Sequence, residues 1–193
     1  MNLLWLGPRR GKAENFFHSQ GYCVRSFVED LSPDDPVWSW MNYTVSFGYK
    51  HIIDKEIAQK YIGKITNLHI SYLPWNRGAD PNFWSILENT RKGVTFHLID
   101  EGIDTGDIIK QCEVDIKLND TLKSSYDQLS IAAEKLLIEN WHDYVCGLIK
   151  PTKQIGEGST HQTKDKIPWL HLLENDGWNT PVIRIQGAAL QKF

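Results

Sequence analysis

The amino-acid sequence predicts one open α/β domain, a mostly parallel sheet flanked by helices. Three observations carry that expectation. Short apolar runs of strand length alternate along the chain with segments of helical character, the order that places crossover helices against a parallel sheet. One segment after residue 120 keeps an apolar residue every three to five positions, as an amphipathic helix must. The length of 193 residues, with 41% hydrophobic and 23% charged residues, suits a single globular unit rather than a disordered or fibrous chain.

The elements follow in order. Residues 2–6, Asn-Leu-Leu-Trp-Leu, are an apolar run stopped by Gly7 and Pro8 and read as a buried strand. A helix is expected over 12–20, with Phe16 and Phe17 on one side and Gly21 as its stop. Aromatic and β-branched residues make 22–28 a second strand, and the two prolines within 31–40 mark a connection. A third strand is expected over 43–47. A short helix follows over 54–62, its start favoured by the Asp54 carboxylate near the helix dipole. Residues 65–71 and 94–100 are the next strands, with a helix over 82–90 between them. Near alternation of apolar and polar residues over 107–116 predicts a half-exposed strand. Leu122, Tyr126, Leu129, Ala133, Leu136, Trp141, Tyr144 and Leu148 then define a long helix over 122–148, ended by Pro151. Residues 1–150 are thus expected to form the α/β domain. Residues 151–193 are expected to pack on it as a polar loop at 156–163, a helix at 167–173 and a tail.

Composition narrows the function. A net charge of −3 argues against a sequence-independent grip on nucleic acid, which needs a basic face. The longest apolar runs fall far short of the roughly 20 residues that cross a bilayer. Residues 1–6 lack the basic-first order and length of a signal peptide. Neither a nucleic-acid nor a membrane partner is expected. Cys23, Cys112 and Cys146 are widely spaced and form no CxxC, so no disulfide framework or zinc site is expected and a reducing, cytoplasmic setting is the natural one. Eight tryptophans suit a core, and equally a pocket for flat rings.

Two segments carry chemistry. In Asn67-Leu-His-Ile-Ser-Tyr-Leu-Pro-Trp-Asn-Arg-Gly-Ala-Asp80, Asn67 and His69 are two apart on a predicted strand and share one face. Buried polar groups there need partners or a site to face. The strand then enters a Pro- and Gly-containing loop at its C-terminal end, where open α/β sheets bind ligands. In the second segment, 93–109, a strand runs into an acidic, glycine-punctuated loop holding Asp100, Glu101 and Asp104. Its spacing does not match a calcium loop, and no metal is expected. His97, between Phe96 and Leu98, reads as structural. A third segment, Gly7-Pro-Arg-Arg-Gly-Lys12, lies where phosphate loops occur but fits neither phosphate-loop template. It reads either as a basic surface turn or as a grip on a substrate phosphate through Arg9 or Arg10.

Asn67-x-His69 running into Leu73-Pro74 and Arg77-Gly78, followed by the Asp104-Thr105-Gly106 loop, resembles the formyltransferases that use N10-formyltetrahydrofolate. The wording from Ile70 to Asn82 is most similar to the branch that formylates amino groups on nucleotide-linked sugars. The resemblance is strong over residues 43–116 and weaker toward Thr160-His161 and Gly177–Pro181. It implies a Rossmann-like formyltransferase fold with a short C-terminal extension, and N10-formyltetrahydrofolate as co-substrate. The implied partner is a dTDP- or UDP-linked deoxyamino sugar used in surface glycan synthesis such as lipopolysaccharide O-antigen, and a homodimer with residues 181–193 as its pairing element is expected by analogy. Transfer to glycinamide ribonucleotide and a non-catalytic folate-binding module are the alternatives.

The implied catalytic set is Asn67, His69 and Asp104. Attack of an amine on the formyl carbon develops an oxyanion, for which one well-placed donor is worth about 3–4 kcal/mol, and a proton must leave the nitrogen. Asn67 supplies an amide donor, His69 can pass a proton, and Asp104 would orient the imidazole. Whether His69 or Asp104 takes the proton stays open at this level. His51, Ile52 and Ile53, with Asp100, Gly102 and Ile103 closing over the same ring, are the expected folate contacts. Trp75, Asn76 and Arg77, with Arg9 and Arg10, are the expected substrate contacts, although Arg77 could instead brace its loop.

Overall fold

A computed structural model describes residues 1–191; Lys192 and Phe193, the end of the expected pairing tail at 181–193, lie outside the described residues. In chain order the elements are β1 (Asn2–Leu6), α1 (Gly11–Ser19), β2 (Cys23–Phe27), α2 (Val37–Trp40), β3 (Tyr43–Ser46), α3 (Lys55–Lys60) and β4 (Ile65–His69). Then come β5 (Arg77–Gly78), α4 (Pro81–Leu87), β6 (Gly93–Leu98), β7 (Ile108–Glu113), α5 (Leu122–Val145), β8 (Thr160–His161) and α6 (Val182–Ile185). Stretches of 3-10 helix cover Thr163–Leu173, Gly177–Asn179 and Ala188–Gln191.

Six strands form one open sheet in the order β2-β1-β3-β4-β6-β7. The pairings from β2 to β4 are parallel, and those of β6 with β4 and with β7 are antiparallel. The α/β expectation holds, with the sheet mixed rather than uniformly parallel. The loop between β6 and β7 is too short for the crossover a parallel pair needs, so that pair closes as a hairpin.

Period-two alternation sorts each strand between two layers. Leu3 and Trp5 of β1 pack with Phe17 of α1 and with Leu129, Ala133, Leu137 and Trp141 of α5. On the other face, Leu4 and Leu6 pack with Val37 and Trp38 of α2, Ile57 of α3 and Ile65. Burial of these side chains drives the layering, at roughly 25 cal/mol per Å² of apolar surface removed from water. Trp141 is buried among the rings of Phe17, Tyr22, Tyr43 and Phe96 and donates its indole N–H to Tyr22 Oη at 3.0 Å. Four tryptophans, Trp5, Trp38, Trp84 and Trp141, are core residues.

The same alternation positions the site. Val45, Leu68 and Phe96, on three adjacent strands, enter the α5-side core. Their strand neighbours Ser46, Asn67, His69, Thr95 and His97 therefore share the opposite face. There Ser46 and Asn67 are register partners, as are Asn67 and His97, and His69 and Thr95. A polar stripe thus crosses the middle of the sheet where α2 and α3 do not cover it.

Several boundaries differ from expectation for local reasons. Residues 31–40, read as a connection, contain the single turn α2. The long helix is capped by a reciprocal Thr121–Ser124 box and stops at Val145, short of residue 148, ahead of Gly147. The helix expected at 167–173 is a 3-10 stretch from Thr163 with Pro168 inside it; proline lacks the N–H that an α-helix interior uses. β5 and β8 pair in parallel as a separate two-stranded ribbon, too short to leave any periodic signature. Among the described residues no helix is long and apolar enough to cross a membrane.

Candidate active site

The polar stripe opens into a cavity of about 1030 Å³. At its waist Asn67 and His69 project from β4, His97 from β6, and Asp104 returns over them from the loop between β6 and β7. Asn67 Nδ2 donates to Asp104 Oδ1 at 3.1 Å and lies 3.2 Å from His97 Nε2. His97 Nδ1 lies 2.7 Å from the Leu98 carbonyl, so Nδ1 carries the proton and Nε2 accepts from Asn67. By the same logic His69 Nε2 donates to the Asn76 carbonyl at 2.8 Å. Its Nδ1 faces Asp104 Oδ2 at 3.5 Å.

Asp104 is held from several sides. Oδ2 accepts the Gly78 N–H at 2.9 Å, and its main-chain carbonyl accepts from Gln154 Nε2 at 2.7 Å. Its backbone is left-handed, with φ 52°, a region that Asp and Asn tolerate better than other residues with a Cβ. Burial works against ionising this carboxyl. Wherever the imidazoles are protonated, the positive charge of His69, then the proton His97 donates and the Gly78 N–H, outweigh burial and hold it well below the usual carboxylate range. The waist therefore carries a fixed negative charge between two imidazoles. The loop is closed by Asp100, whose Oδ1 accepts from the Gly102 N–H and from Thr105 Oγ1.

The lining away from these residues comes from two sets of chain segments, its two arms. One is walled by residues 46–53 after β3 and by Leu98, Asp100, Gly102, Ile103 and Thr105. Ile52 and Ile103 in this lining are 79% and 52% exposed, apolar surface open to solvent. The other arm is lined by residues 78–83, Leu122, Tyr126, His161, Lys166, Leu173, Gly177 and Trp178. There the Tyr126 and Trp178 rings meet edge to face, and Lys166 Nζ donates to Asp80 Oδ1 at 2.8 Å. Among the described residues no cluster of His, Cys, Asp and Glu is arranged to hold a metal ion.

Residues 40–140, which hold all four waist residues, match the family described as formyl transferase. The chain belongs to the formyl transferase family. Among curated relatives, the methionyl-tRNA formyltransferase of Thermodesulfovibrio yellowstonii is 34% identical over 151 residues, 78% of this chain and 44% of the relative. That of Bacillus subtilis is 38% identical over 119 residues, 61% of this chain and 37% of the relative. The chain spans less than half the length of these curated relatives. A solved structure matches along its whole length: the formyltransferase PseJ from Anoxybacillus kamchatkensis, in complex with UDP-4,6-dideoxy-4-formamido-L-AltNAc and tetrahydrofolate. It is 43% identical with a TM-score of 0.94, covering 98% of this chain and 100% of its own. A 4-N formyltransferase from Francisella tularensis shares the fold at 20% identity and a TM-score of 0.75, over 85% of this chain and 77% of its own.

Within this member of the family, the structure brings Asn67, His69 and Asp104 together at the waist. It lines the first arm with His51, Ile52, Ile53, Asp100, Gly102 and Ile103. His51 Nδ1 also lies 3.8 Å from Asp30 Oδ2. The five residues expected at the substrate lie outside the cavity lining. Arg9 pairs with Glu14, and Arg10 lies over the Phe47 ring. Trp75 stands outside the cavity lining, and Asn76 is fully buried with φ 58°. Arg77 braces its loop: Nε and Nη2 donate to Gln154 Oε1, and Gln154 Nε2 reaches the carbonyls of Asp104 and Gly106. His97, read as structural, sits against Asn67 and Asp104; the missing signal was its register opposite Asn67. Tyr126, Lys166 and Trp178 were not singled out, because no local pattern marks them as neighbours.

Proposed function

We propose that this protein transfers the formyl group of N10-formyltetrahydrofolate to the amine of a UDP-linked 4-amino-4,6-dideoxy sugar, with a dTDP-linked sugar as the next candidate. The observation that carries the reading is a single cavity of about 1030 Å³ with Asn67, His69 and Asp104 together in its lining. The full-length likeness to PseJ in complex with a UDP-linked formamido sugar and tetrahydrofolate supports this pairing of ligands.

The first arm fits the flat ring of a folate. Ile52 and Ile103 offer apolar surface to be covered, and the loop backbones offer donors and acceptors for a polar ring edge. The second arm fits a nucleotide-linked sugar. Trp178, 57% exposed beside Tyr126, gives a base a face to stack on, and Lys166 gives a diphosphate a cation.

When bound, the folate supplies an electrophilic formyl carbon, and its nitrogen leaves with a proton as the sugar amine becomes a formamide. His69, its Nε2–H fixed on Asn76, presents the Nδ1 lone pair toward the Asp104 carboxylate. Two acceptors converge on one gap. A proton leaving the amine is received by His69 Nδ1 and stabilised by the adjacent negative charge. Asn67 already uses both amide hydrogens, on Asp104 and His97. It donates to the developing oxyanion by giving up one of them, a contact worth about 3–4 kcal/mol.

The three cysteines are free, which suits a reducing cytoplasm, and we place the reaction there, in surface glycan synthesis of the O-antigen kind. We further propose a homodimer, paired through the segment that begins at Pro181; light scattering reads it directly. The functional test is incubation with N10-formyltetrahydrofolate and a panel of UDP- and dTDP-linked amino sugars, followed by mass spectrometry. Gain of one CO unit on a 4-amino sugar supports the reading. Formylation of glycinamide ribonucleotide or methionyl-tRNA instead would replace it, and folate binding without turnover would leave a binding module.

A further inference from the structure

The Asn76 carbonyl is the group that fixes His69 Nε2, and a part-buried polar cluster around the buried Asn76 holds that carbonyl in place. The Asn76 N–H donates to Ser159 Oγ at 2.9 Å, and Asn76 Nδ2 lies 3.2 Å from Glu88 Oε2 and 3.4 Å from Ser159 Oγ. Asn76 Oδ1 accepts from Thr90 Oγ1 at 2.8 Å. Ser159 Oγ also donates to Glu88 Oε2 at 3.4 Å. Every polar atom of a residue with a left-handed backbone and no solvent exposure is therefore engaged. The carboxylate that anchors it, Glu88, has its other oxygen 3.3 Å from His161 Nε2. The His161 ring in turn stacks on Trp84, with centroids 3.9 Å apart and planes within 6°.

We infer that Glu88 and Ser159 are positioning residues for His69, acting through Asn76. The segment that carries Ser159 is sewn to the loop after β4. Ser159 N–H donates to the Pro74 carbonyl, Arg77 N–H to the Ser159 carbonyl, and Ala79 N–H to the His161 carbonyl. The two segments approach so closely that a Cβ on Gly158 would come within 2.0 Å of Pro74 O, and one on Gly78 within 2.4 Å of His161 O. Gly78, inside the same ribbon, gives its N–H to Asp104. One ribbon thus sets both partners of the His69–Asp104 gap. Loss of the Glu88 carboxylate frees the Asn76 amide and lets the carbonyl turn, so His69 no longer has a fixed donor direction.

The inference rests on the proposed reaction only for its kinetic readout, so the deciding experiment includes one that needs no turnover. Nitrogen-15 spectra of histidine-labelled protein report the His69 tautomer. Wild type is expected to hold a single Nε2–H form, with Glu88→Ala and Ser159→Ala mixing the two tautomers and Glu88→Gln, which keeps an acceptor at that place, preserving one. With the accepted sugar in hand, the alanine variants are expected to lose about tenfold or more in kcat while folate affinity stays within about twofold, and Glu88→Gln to recover most of the rate. An unchanged His69 tautomer in folded Ser159→Ala and Glu88→Ala protein, or a rate that falls only in step with the folded fraction, overturns the inference. Should Glu88→Ala fail to fold, Ser159→Ala and Glu88→Gln decide it. Wild type inactive on every sugar would sink the proposed function, while the tautomer result would still stand for or against the positioning role.

Discussion

The two arms of the cavity are built in opposite ways. The arm proposed for folate comes from two loops that each leave a strand of the central sheet, residues 46–53 and 98–105. The arm proposed for the nucleotide sugar is gathered from the β5–α4 region, the start of α5 and 3-10 segments between 161 and 178. The first arm is a local product of strands and turns and can be read from consecutive residues. The second is a tertiary product, since Tyr126 and Trp178 are neighbours only after α5 and the C-terminal segment have packed. If the arms bind different ligands, damage to each should move a different constant, and damage at the waist should move turnover alone.

The largest effect is expected there. His69→Ala and Asp104→Asn should each lower kcat by about 10³-fold or more, since proton transfer and charge stabilisation are removed together. Folate affinity measured by calorimetry should stay close to wild type. A variant that loses affinity and rate in proportion would place the waist in one of the arms. Beneath both arms, Trp141→Ala is expected to destabilise the fold by about 3–5 kcal/mol in denaturant unfolding, with kcat of the folded fraction unchanged. In the second arm, Trp178→Ala should raise KM for the nucleotide sugar by about tenfold, the size of a lost base-stacking contact, with folate affinity untouched. Ile52→Ala should do the reverse more weakly, reducing folate affinity by about fivefold for the apolar area lost, with KM for the sugar unchanged. Crossed effects in this pair would undo the assignment of ligands to arms.

The smallest effect at neutral pH concerns stability. The folded-state pKa of Asp104 is lowered, so its ionisation contributes stability that is fully present above the unfolded-state value and lost as pH falls through the folded one. The loss therefore lies below about pH 4. Urea unfolding should show Asp104→Asn less sensitive than wild type across that acid range.

The waist was legible because its signal is local: Asn67 and His69 share a strand face, and Asp104 sits in the glycine-punctuated loop that follows His97. Its full geometry was not. His97 between two apolar neighbours looks like core until β6 is paired with β4, when it falls opposite Asn67. Arg77 allowed two readings, and only the position of Gln154, 77 residues away, turns it into a brace for the Asp104 loop. Asn76 was read as a substrate contact because it is polar and follows the site strand. The left-handed turn that buries it depends on Ser159 and Glu88, which no spacing rule connects. The fold class was legible as α/β, while the strand order and the antiparallel β6–β7 edge, which follows from a short loop, are not encoded in the apolar pattern.

The most direct test of the account is a single-turnover assay with N10-formyltetrahydrofolate labelled in the formyl carbon and a UDP-linked 4-amino-4,6-dideoxy sugar. It should run on wild type and on His69→Ala, with folate binding measured on the same samples. Label is expected to move to the sugar amine in wild type and to stay on the folate in His69→Ala, although both bind folate alike. Transfer at the wild-type rate by the variant, or folate bound by both with label reaching no amino sugar, would contradict it.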